Sequence, residues 1–385
     1  MSPPISCPVV RVPEVVPCES AELDELVAFL ESEAGIEEER AFMRGTLLPD
    51  GRLDLCKQSV GAQGCARIVS ALQFHPWVKS VLLGTDAIGD EGALAVAGLI
   101  ETNPRLEVVY LGCNGISESG VAELSRSLQS NTSVKGFWLK RNPIGDGGMR
   151  SLGTMLQENT NLSILDVVNC GFGPQGLTAL CQSLRDGNRA LKRLYLGSNG
   201  SLSAQLLRDM LAANPVLEGL FLNVGALGDA GASELARGVG QSHSLRELGA
   251  GSNGIGLLGL KALCATLSDG SRLEVLDLGR AASQTVLGAQ GNDFRGGGAI
   301  IGEMLRSNRS LRRLNLRGTK LSGIDLEPVF DAVARHPKMG ELMVDVPLRP
   351  DVKARLADNR KEEPLQAEGG VQLIKSVYRT AKTKN

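Results

Sequence analysis

A unit of about 28 residues recurs along most of this chain, and this period constrains the fold more than any other feature of the sequence. Residues 105–132, RLEVVYLGCNGISESGVAELSRSLQSNT, show the pattern Leu-x-x-Val-x-Leu, then Asn-x-Ile, then apolar residues at helical spacing. The first position of successive copies falls at Asp50, Val78, Leu106, Val134, Leu162, Leu191, Leu217, Leu245, Leu273, Leu311 and Met339. Such a period predicts stacked units that share one continuous core.

Each unit is long enough for a short strand, a loop and a helix of about three turns. We expect the strands to line one side of the array and the helices the other. Because a layer of helices is wider than a layer of strands, stacking should curve the array. The sequence therefore predicts an α/β horseshoe solenoid with a concave parallel β-sheet and convex α-helices.

The segments YLGCNGISESGVAEL, WLKRNPIGDGGMRSL and YLGSNGSLSAQLLRDM resemble the ribonuclease-inhibitor-like leucine-rich repeats. This class includes ribonuclease inhibitor, Ran GTPase-activating protein and the repeat arrays of NOD-like receptors. The resemblance covers about residues 50–346 and implies a protein-binding role as scaffold, adaptor, sensor or inhibitor. The consensus asparagine is replaced in individual repeats by Gln58, Asp86, Cys170, Gly225 and Thr319. We expect these replacements to loosen a ladder of asparagines without changing the fold.

The flanking segments suggest four regions. Residues 1–19 are proline-rich and should form a flexible tail, and residues 20–49 have an amphipathic helix pattern typical of an N-terminal helical cap. The repeat array spans residues 50–346 and carries an insertion at residues 281–291, either a tolerated surface loop or a functional one. Residues 347–385 are predicted to form a C-terminal cap and a basic tail. The last amphipathic stretch of this tail either packs back as a cap or serves as a docking segment.

The composition of the chain limits the classes of partner and the cellular compartment that we expect. The chain is 42% hydrophobic and 22% charged, with no apolar run long enough to span a bilayer. Its net charge of −2 provides no basic footprint for nucleic acid. Neither a signal peptide nor a paired-cysteine motif is recognisable. We therefore expect a cytoplasmic protein with a protein partner and with neither a nucleic-acid nor a membrane ligand; the partner's identity and the oligomeric state stay open.

One position in every predicted strand should carry its side chain to the concave surface. In Leu-x-x-Leu-x-Leu the second and third apolar residues point into the core, so the residue between them points outward. We call these residues the strand-face column: Asp54, Leu82, Tyr110, Trp138, Asp166, Tyr195, Phe221, Gly249, Asp277, Asn315 and Met343. Two of the three tyrosines and one of the two tryptophans stand in it, which a merely solvated surface would not favour.

The aromatic residues of the column form the predicted binding site. Neighbouring strands lie about 4.8 Å apart, so Tyr110 should stand beside Trp138, and Tyr195 beside Phe221. Exposed aromatic and arginine side chains on a rigid platform often dominate the energy of protein interfaces. We predict a protein-binding site made of Tyr110, Trp138, Lys140, Arg141, Asp166, Arg193, Tyr195 and Phe221. The alternative is that the rings stack on one another and only shield the sheet.

The sequence offers little for catalysis. Its three histidines, His75, His243 and His336, are interpreted as closing the turn between a helix and the next strand, where sister repeats have asparagine. This leaves no histidine for a catalytic triad or beside a cysteine nucleophile. The GxGxxG match from Gly171 to Gly176 lies in a repeat loop, without the βαβ context of a nucleotide site. We accordingly predict no catalytic residue, no cofactor and no metal.

Two other functions stay open beside the binding role. The first, implied by the resemblance to the Ran regulator, is a GTPase-activating protein for a small GTPase, in which Arg141 or Arg280 would act at the nucleotide. The basic C-terminal tail argues against it, because the Ran regulator has an acidic tail. The second is a pathogen effector or an innate-sensor-like repeat protein, which rests on the resemblance alone.

Overall fold

The computed structural model describes residues 15–268, 270–363 and 373–380, which fold into two compact units. The first unit contains residues 15–191 together with residues 373–380, and the second contains residues 192–363. The division falls just after Leu191, the first position of one predicted repeat.

Short strands recur at the predicted period. The first unit contains β1 (Arg40–Ala41), β2 (Thr46–Leu47), β3 (Arg52–Asp54), β4 (Ser80–Leu82), β5 (Val108–Tyr110), β6 (Gly136–Trp138) and β7 (Ile164–Asp166). The second contains β8 (Arg193–Tyr195), β9 (Gly219–Phe221), β10 (Glu247–Gly249), β11 (Val275–Asp277), β12 (Arg313–Asn315) and β13 (Glu341–Met343). Within each unit the strands pair in sequence order, antiparallel from β1 to β3 and parallel thereafter.

One helix follows almost every strand. The first unit contains α1 (Asp24–Glu31), α2 (Gly61–Leu72), α3 (Gly89–Thr102), α4 (Glu118–Gln129), α5 (Gly145–Glu158) and α6 (Pro174–Asp186). The second contains α7 (Ala204–Ala213), α8 (Gly228–Gln241), α9 (Leu257–Leu267), α10 (Gly298–Ser307), α11 (Gly323–Val333) and α12 (Pro350–Glu362). Residues Val377–Thr380 add a single helical turn to the first unit. This alternation of strand and helix confirms the predicted α/β solenoid class.

The core of each repeat lies between its strand and its helix. In the unit read from residues 105–132, Val109 and Leu111 of the strand segment are fully buried. Val121, Leu124 and Leu128 of α4 are fully buried as well, on one side of the helix. Each such side chain contributes about 1.5–3 kcal/mol to folding, so the period of apolar residues is what specifies the stacking.

Asparagine side chains join the loops of successive repeats. The amide oxygen of Asn142 accepts hydrogen bonds from the backbone N–H groups of Asn114 (2.9 Å) and Ile116 (3.1 Å). Its amide nitrogen donates to the carbonyl oxygens of Leu111 (2.8 Å) and Leu139 (2.7 Å). One buried side chain thereby satisfies four backbone groups that would otherwise lose their hydrogen bonds on burial.

Replacements of this asparagine keep only part of the ladder. Thr319 Oγ1 donates to the carbonyl of Leu316 (2.6 Å), which belongs to its own repeat. Asp86 Oδ1 accepts from the backbone N–H of Gln58 (2.8 Å), as an asparagine oxygen would. Asp86 Oδ2 is buried and bonds to no described residue. Burial raises the pKa of Asp86 to about 8, although the donated N–H groups of Gln58 and Val60 oppose the shift.

The predicted N-terminal cap, residues 20–49, combines helix and strand. A 3₁₀ turn, Ser20–Leu23, leads into α1, which ends at Glu31. After α1 the chain forms β1 and β2, which extend the sheet from β3 by antiparallel pairing. The predicted helical pattern therefore applies only to the first part of this region. Of the predicted flexible tail, residues 1–14 lie outside the described part of the chain.

The insertion at residues 281–291 folds back onto the preceding repeat. The hydroxyl of Ser252 accepts from the backbone N–H of Ala281 (2.8 Å) and donates to the side-chain oxygen of Gln284 (2.7 Å). Gly254 N–H donates to the carbonyl of Gln290 (3.0 Å). Asn292 then resumes the ladder, because its side-chain oxygen accepts from Asn253 N–H (3.0 Å). Four hydrogen bonds thus hold both ends of the loop.

Two histidines close helix-to-strand turns in the way asparagine does in sister repeats. Nδ1 of His75 accepts from Val78 N–H (3.2 Å), and Nδ1 of His336 accepts from Met339 N–H (2.9 Å). His243 does not occupy this position. There the hydroxyl of Ser242 accepts from Leu245 N–H (3.2 Å), so the interpretation of His243 as a turn-closing residue is wrong by one position.

We expect His336 to make folding depend on pH. Its Nδ1 must be unprotonated to accept, and burial, with the positive charge of Arg309 adding to it, lowers the pKa to about 4. Because the pKa of His336 is lower in the folded state, its contribution to stability is complete when the pH is above the unfolded-state pKa, near 6.5. That contribution is lost as the pH falls toward 4. The full span is about 3 kcal/mol. In urea unfolding, the free energy of unfolding of His336→Asn relative to wild type should therefore increase by about 2 kcal/mol from pH 7.5 to pH 4.5. An equal difference at both pH values would refute this.

Candidate functional site

The strand-face column lies at one register of consecutive strands. Tyr110 on β5 pairs with Trp138 on β6, which pairs with Asp166 on β7. In the second unit, Tyr195 on β8 pairs with Phe221 on β9. The pairing confirms that the predicted aromatic neighbours stand side by side within each unit.

Tyr110 and Trp138 are buried, contrary to the exposure expected from strand alternation. They are 5% and 2% exposed, respectively. Trp138 lies over Gly136, two residues earlier on the same face, where an added Cβ would overlap the indole ring. Tyr110 lies against Gly84 and Gly112 in the same manner. Because these glycines have no side chains, the rings lie down on the backbone instead of standing away from the sheet.

Two cationic residues follow the Trp138 strand. The Lys140 ammonium lies 5.7 Å from the centroid of the Tyr110 ring, within the range of a cation–π interaction. Arg141 is exposed and has a positive φ of 60°, in the loop that leaves the strand. The side chain most accessible to a partner in this part of the predicted site is therefore Arg141.

The second aromatic pair forms a stacked and partly exposed cluster. The rings of Tyr195 and Phe221 are parallel within 7°, with centroids 4.3 Å apart. Phe221 is 9% exposed, while Tyr195 is half-buried. Beside them the guanidinium of Arg193 reaches across the strand that carries Gly219 to bond the carboxylate of Glu247 at 2.7 Å. A Cβ at Gly219 would press on both Phe221 and Arg193, at 3.1 and 3.2 Å.

The aspartates of the column have a local structural role. Asp166 Oδ1 accepts from the backbone N–H of Val168 (2.9 Å), two residues later, and is almost fully buried. Asp54 and Asp277 make the same turn, accepting from the N–H groups of Cys56 and Gly279. Burial raises the pKa of Asp277, while the N–H of Gly279 opposes the shift. These carboxylates end the strands, and Asp54 has a second set of contacts described below.

The residues considered for chemistry are spread over separate loops. Arg280 is exposed, and its guanidinium donates to Thr285 Oγ1 (2.6 Å) within the inserted loop. In the GxGxxG segment, the N–H groups of Gly173 and Gly176 both donate to Asp146 Oδ1 at 2.7 Å, so a carboxylate of the chain occupies the position a phosphate would need. The described residues contain no cluster of three or more metal-ligating side chains. None of the described helices is long and apolar enough to cross a membrane.

Sequence reasoning missed the glycines beside the aromatic rings and the contacts of Asp54. The first could have been found, because Gly136 and Gly219 each stand two residues before an aromatic residue, on the same face of a strand. The second joins residues more than 320 positions apart, which spacing along the chain does not reveal.

The match to a known family covers one repeat of this chain. A family model described as a leucine-rich repeat matches residues 158–181. No curated protein sequence matches this chain. Among solved structures, actin-binding site 2 of leiomodin-1 matches at 19% identity and a TM-score of 0.34, covering 42% of this chain and 89% of that one. The tropomodulin C-terminal domain of Caenorhabditis elegans matches at 16% identity and a TM-score of 0.34, covering 42% and 90%.

These structural similarities are too low to carry any argument about shared partners. The family match lies across the end of α5, strand β7 and the first part of α6, which together form one strand–loop–helix step. The same step is repeated before and after it with the asparagine ladder in the loops. The matched segment is therefore one leucine-rich repeat of an α/β solenoid whose strand–loop–helix step recurs along the described residues.

Proposed function

We propose that this protein is a protein-interaction module whose partner binds along the strand-face column, and that its repeats belong to the 28-residue, ribonuclease-inhibitor-like subclass. The observation that carries the binding proposal is the stacked pair of Tyr195 and Phe221, with the Arg193–Glu247 ion pair beside it. A preorganised aromatic pair with a fixed guanidinium loses little side-chain freedom on binding, which favours affinity. We assign the protein a binding role and no chemical step.

In the first unit, the same proposal rests on Arg141 and Lys140 more than on the rings. Trp138 and Tyr110 are buried, so they serve as a rigid floor, while the cations are accessible at its edge. Charges at the rim of an interface chiefly affect the rate and the specificity of association. The partner segment that meets Arg141 should accordingly carry acidic residues.

The test is recovery of a partner from lysate by the full chain, followed by affinity measurement with the purified partner. We expect Tyr195→Ala and Arg141→Glu each to weaken binding at least about tenfold, or about 1.4 kcal/mol. Leu258→Ala and Lys261→Glu are matched controls, because both residues are exposed on α9, away from the strands. Equal binding by all four variants would place the interface elsewhere and refute the proposal.

A further inference from the structure

The C-terminal residues of the first unit bind the strands at the start of its sheet. One carboxylate oxygen of Asp54, Oδ2, accepts two hydrogen bonds, from Ser376 Oγ (2.6 Å) and from the backbone N–H of Val377 (2.7 Å). Next to them, the hydroxyls of Tyr378 and Thr46 lie 2.6 Å apart. Asp54 is fully buried under this contact. A buried carboxylate must be hydrogen-bonded to be stable, and here the C-terminal segment supplies both donors to Oδ2.

The contact extends to both sides of the serine. Arg52 donates from its guanidinium to the carbonyl of Lys375. Ile374 is 6% exposed, although it belongs to a short segment with little structure of its own. Ser376 also caps the terminal helical turn, accepting from Tyr378 N–H (3.2 Å). Backbone, hydroxyl and apolar groups of five consecutive residues are thus all engaged.

This arrangement has the features of peptide recognition. The protein side offers a carboxylate, an arginine and a threonine hydroxyl on adjacent strands, and each meets a different group of the segment. Removing the segment would leave Oδ2 of Asp54 without the two donors that it has here. The fit selects a sequence of the form apolar–x–Ser–x–Tyr, in which the residue after the serine must have a backbone N–H.

We propose that Thr46, Arg52 and Asp54 form a peptide-docking site whose occupant is the chain's own segment, residues 374–378, held as a dissociable intramolecular ligand. The segment covers only Asp54 of the strand-face column, so its docking does not depend on partner binding at Arg141, Tyr195 and Phe221. A tethered ligand competes with the same peptide added from solution in proportion to its effective concentration. Added peptide should therefore bind weakly until the tethered copy is released.

The releasing variant is Val377→Pro in the full chain. Val377 is the first residue of a helical turn, where proline is tolerated, so the change removes the N–H from which Asp54 Oδ2 accepts and is compatible with the turn. Val377→Ala keeps the N–H and is the matched control. The probe is a fluorescent synthetic peptide of residues 371–381, measured by anisotropy, together with the rate of tryptic cleavage after Lys375.

We expect the proline variant to be cleaved at least about tenfold faster than wild type and to bind the peptide at least about tenfold more tightly, while the alanine variant behaves as wild type. Asp54→Asn, added to the proline variant, should abolish peptide binding. If the amide oxygen keeps the bond from Cys56 N–H, the amide nitrogen, itself a donor, would face the two donors of the peptide. Equal cleavage and equal peptide binding in wild type and Val377→Pro would overturn the proposal. So would a wild-type dimer, by light scattering, that Val377→Pro converts to a monomer, since the occupant would then be a second copy.

Discussion

Substitution of Trp138 by alanine is expected to lower the free energy of unfolding by about 3–5 kcal/mol. The indole is 2% exposed and lies flat over the backbone at Gly136, so its removal leaves a cavity that the short strand cannot fill. A tryptophan held on a surface for a partner would lose far less on truncation. The size of the loss therefore reports whether this ring is part of the folded core or part of an interface.

The chain contains only two tryptophans, which allows the burial to be measured directly. Trp77→Phe leaves Trp138 as the single indole, and we expect its fluorescence to be blue-shifted and poorly quenched by acrylamide. Trp138→Phe is the conservative control for stability and should retain more of it than the alanine variant. If Trp138→Ala lowers the free energy of unfolding by less than about 1 kcal/mol and the indole is readily quenched, the ring is exposed, as strand alternation predicts, and the expected burial is wrong.

The period of the sequence predicted the fold because a repeat has few ways to bury its apolar residues. Val109, Leu111 and Leu124 recur at positions that a strand and a helix present to one core, so class and element order follow directly. The column register followed from the same alternation, and Tyr110 and Trp138 are paired as expected. What alternation does not specify is how a side chain lies once it has left the core.

That choice depends on neighbours in three dimensions. Trp138 lies down because Gly136 leaves the space, whereas Tyr195 lies half-exposed against the ring of Phe221. Likewise, the sequence marked Asp54 as a column residue and the C-terminal stretch as amphipathic, but not that one binds the other. Contacts between distant segments come from complementary chemistry, for which a single sequence provides no register.

Substitution of Asp86 by asparagine is expected to stabilise the protein by about 1–3 kcal/mol at pH 7, with about 4 kcal/mol as a ceiling. Asp86 stands at the ladder position, where Asn142 uses its amide nitrogen to bond two carbonyl groups. By repeat equivalence the corresponding carbonyl groups at Asp86 belong to Leu55 and Leu83. An ionised carboxylate has no proton to donate to them. Burial accordingly raises the pKa of Asp86 to about 8.

The effect should depend on pH in a defined direction. The pKa of Asp86 is higher in the folded state than in the unfolded state, where it is near 3.8. Its contribution to the free energy of unfolding is therefore complete when the pH is below 3.8, and it is lost as the pH rises toward 8. Thermal unfolding of wild type and Asp86→Asn should therefore agree most closely near pH 4 and diverge up to pH 8. The reciprocal control is Asn142→Asp, which should lose stability at pH 8 and recover part of it in acid.

Together the two variants separate the chemistry of the side chain from the geometry of its site. If the ladder position requires a donor, Asp86→Asn should raise the free energy of unfolding and Asn142→Asp should lower it. Both changes should become larger as the pH rises toward 8. A less stable Asp86→Asn at pH 8 would mean that the carboxylate is ionised in the folded protein and held by positive groups. The repeat equivalence that relates Asp86 to Asn142 would then fail at this loop, although the backbone N–H of Gln58 bonds both kinds of oxygen equally well.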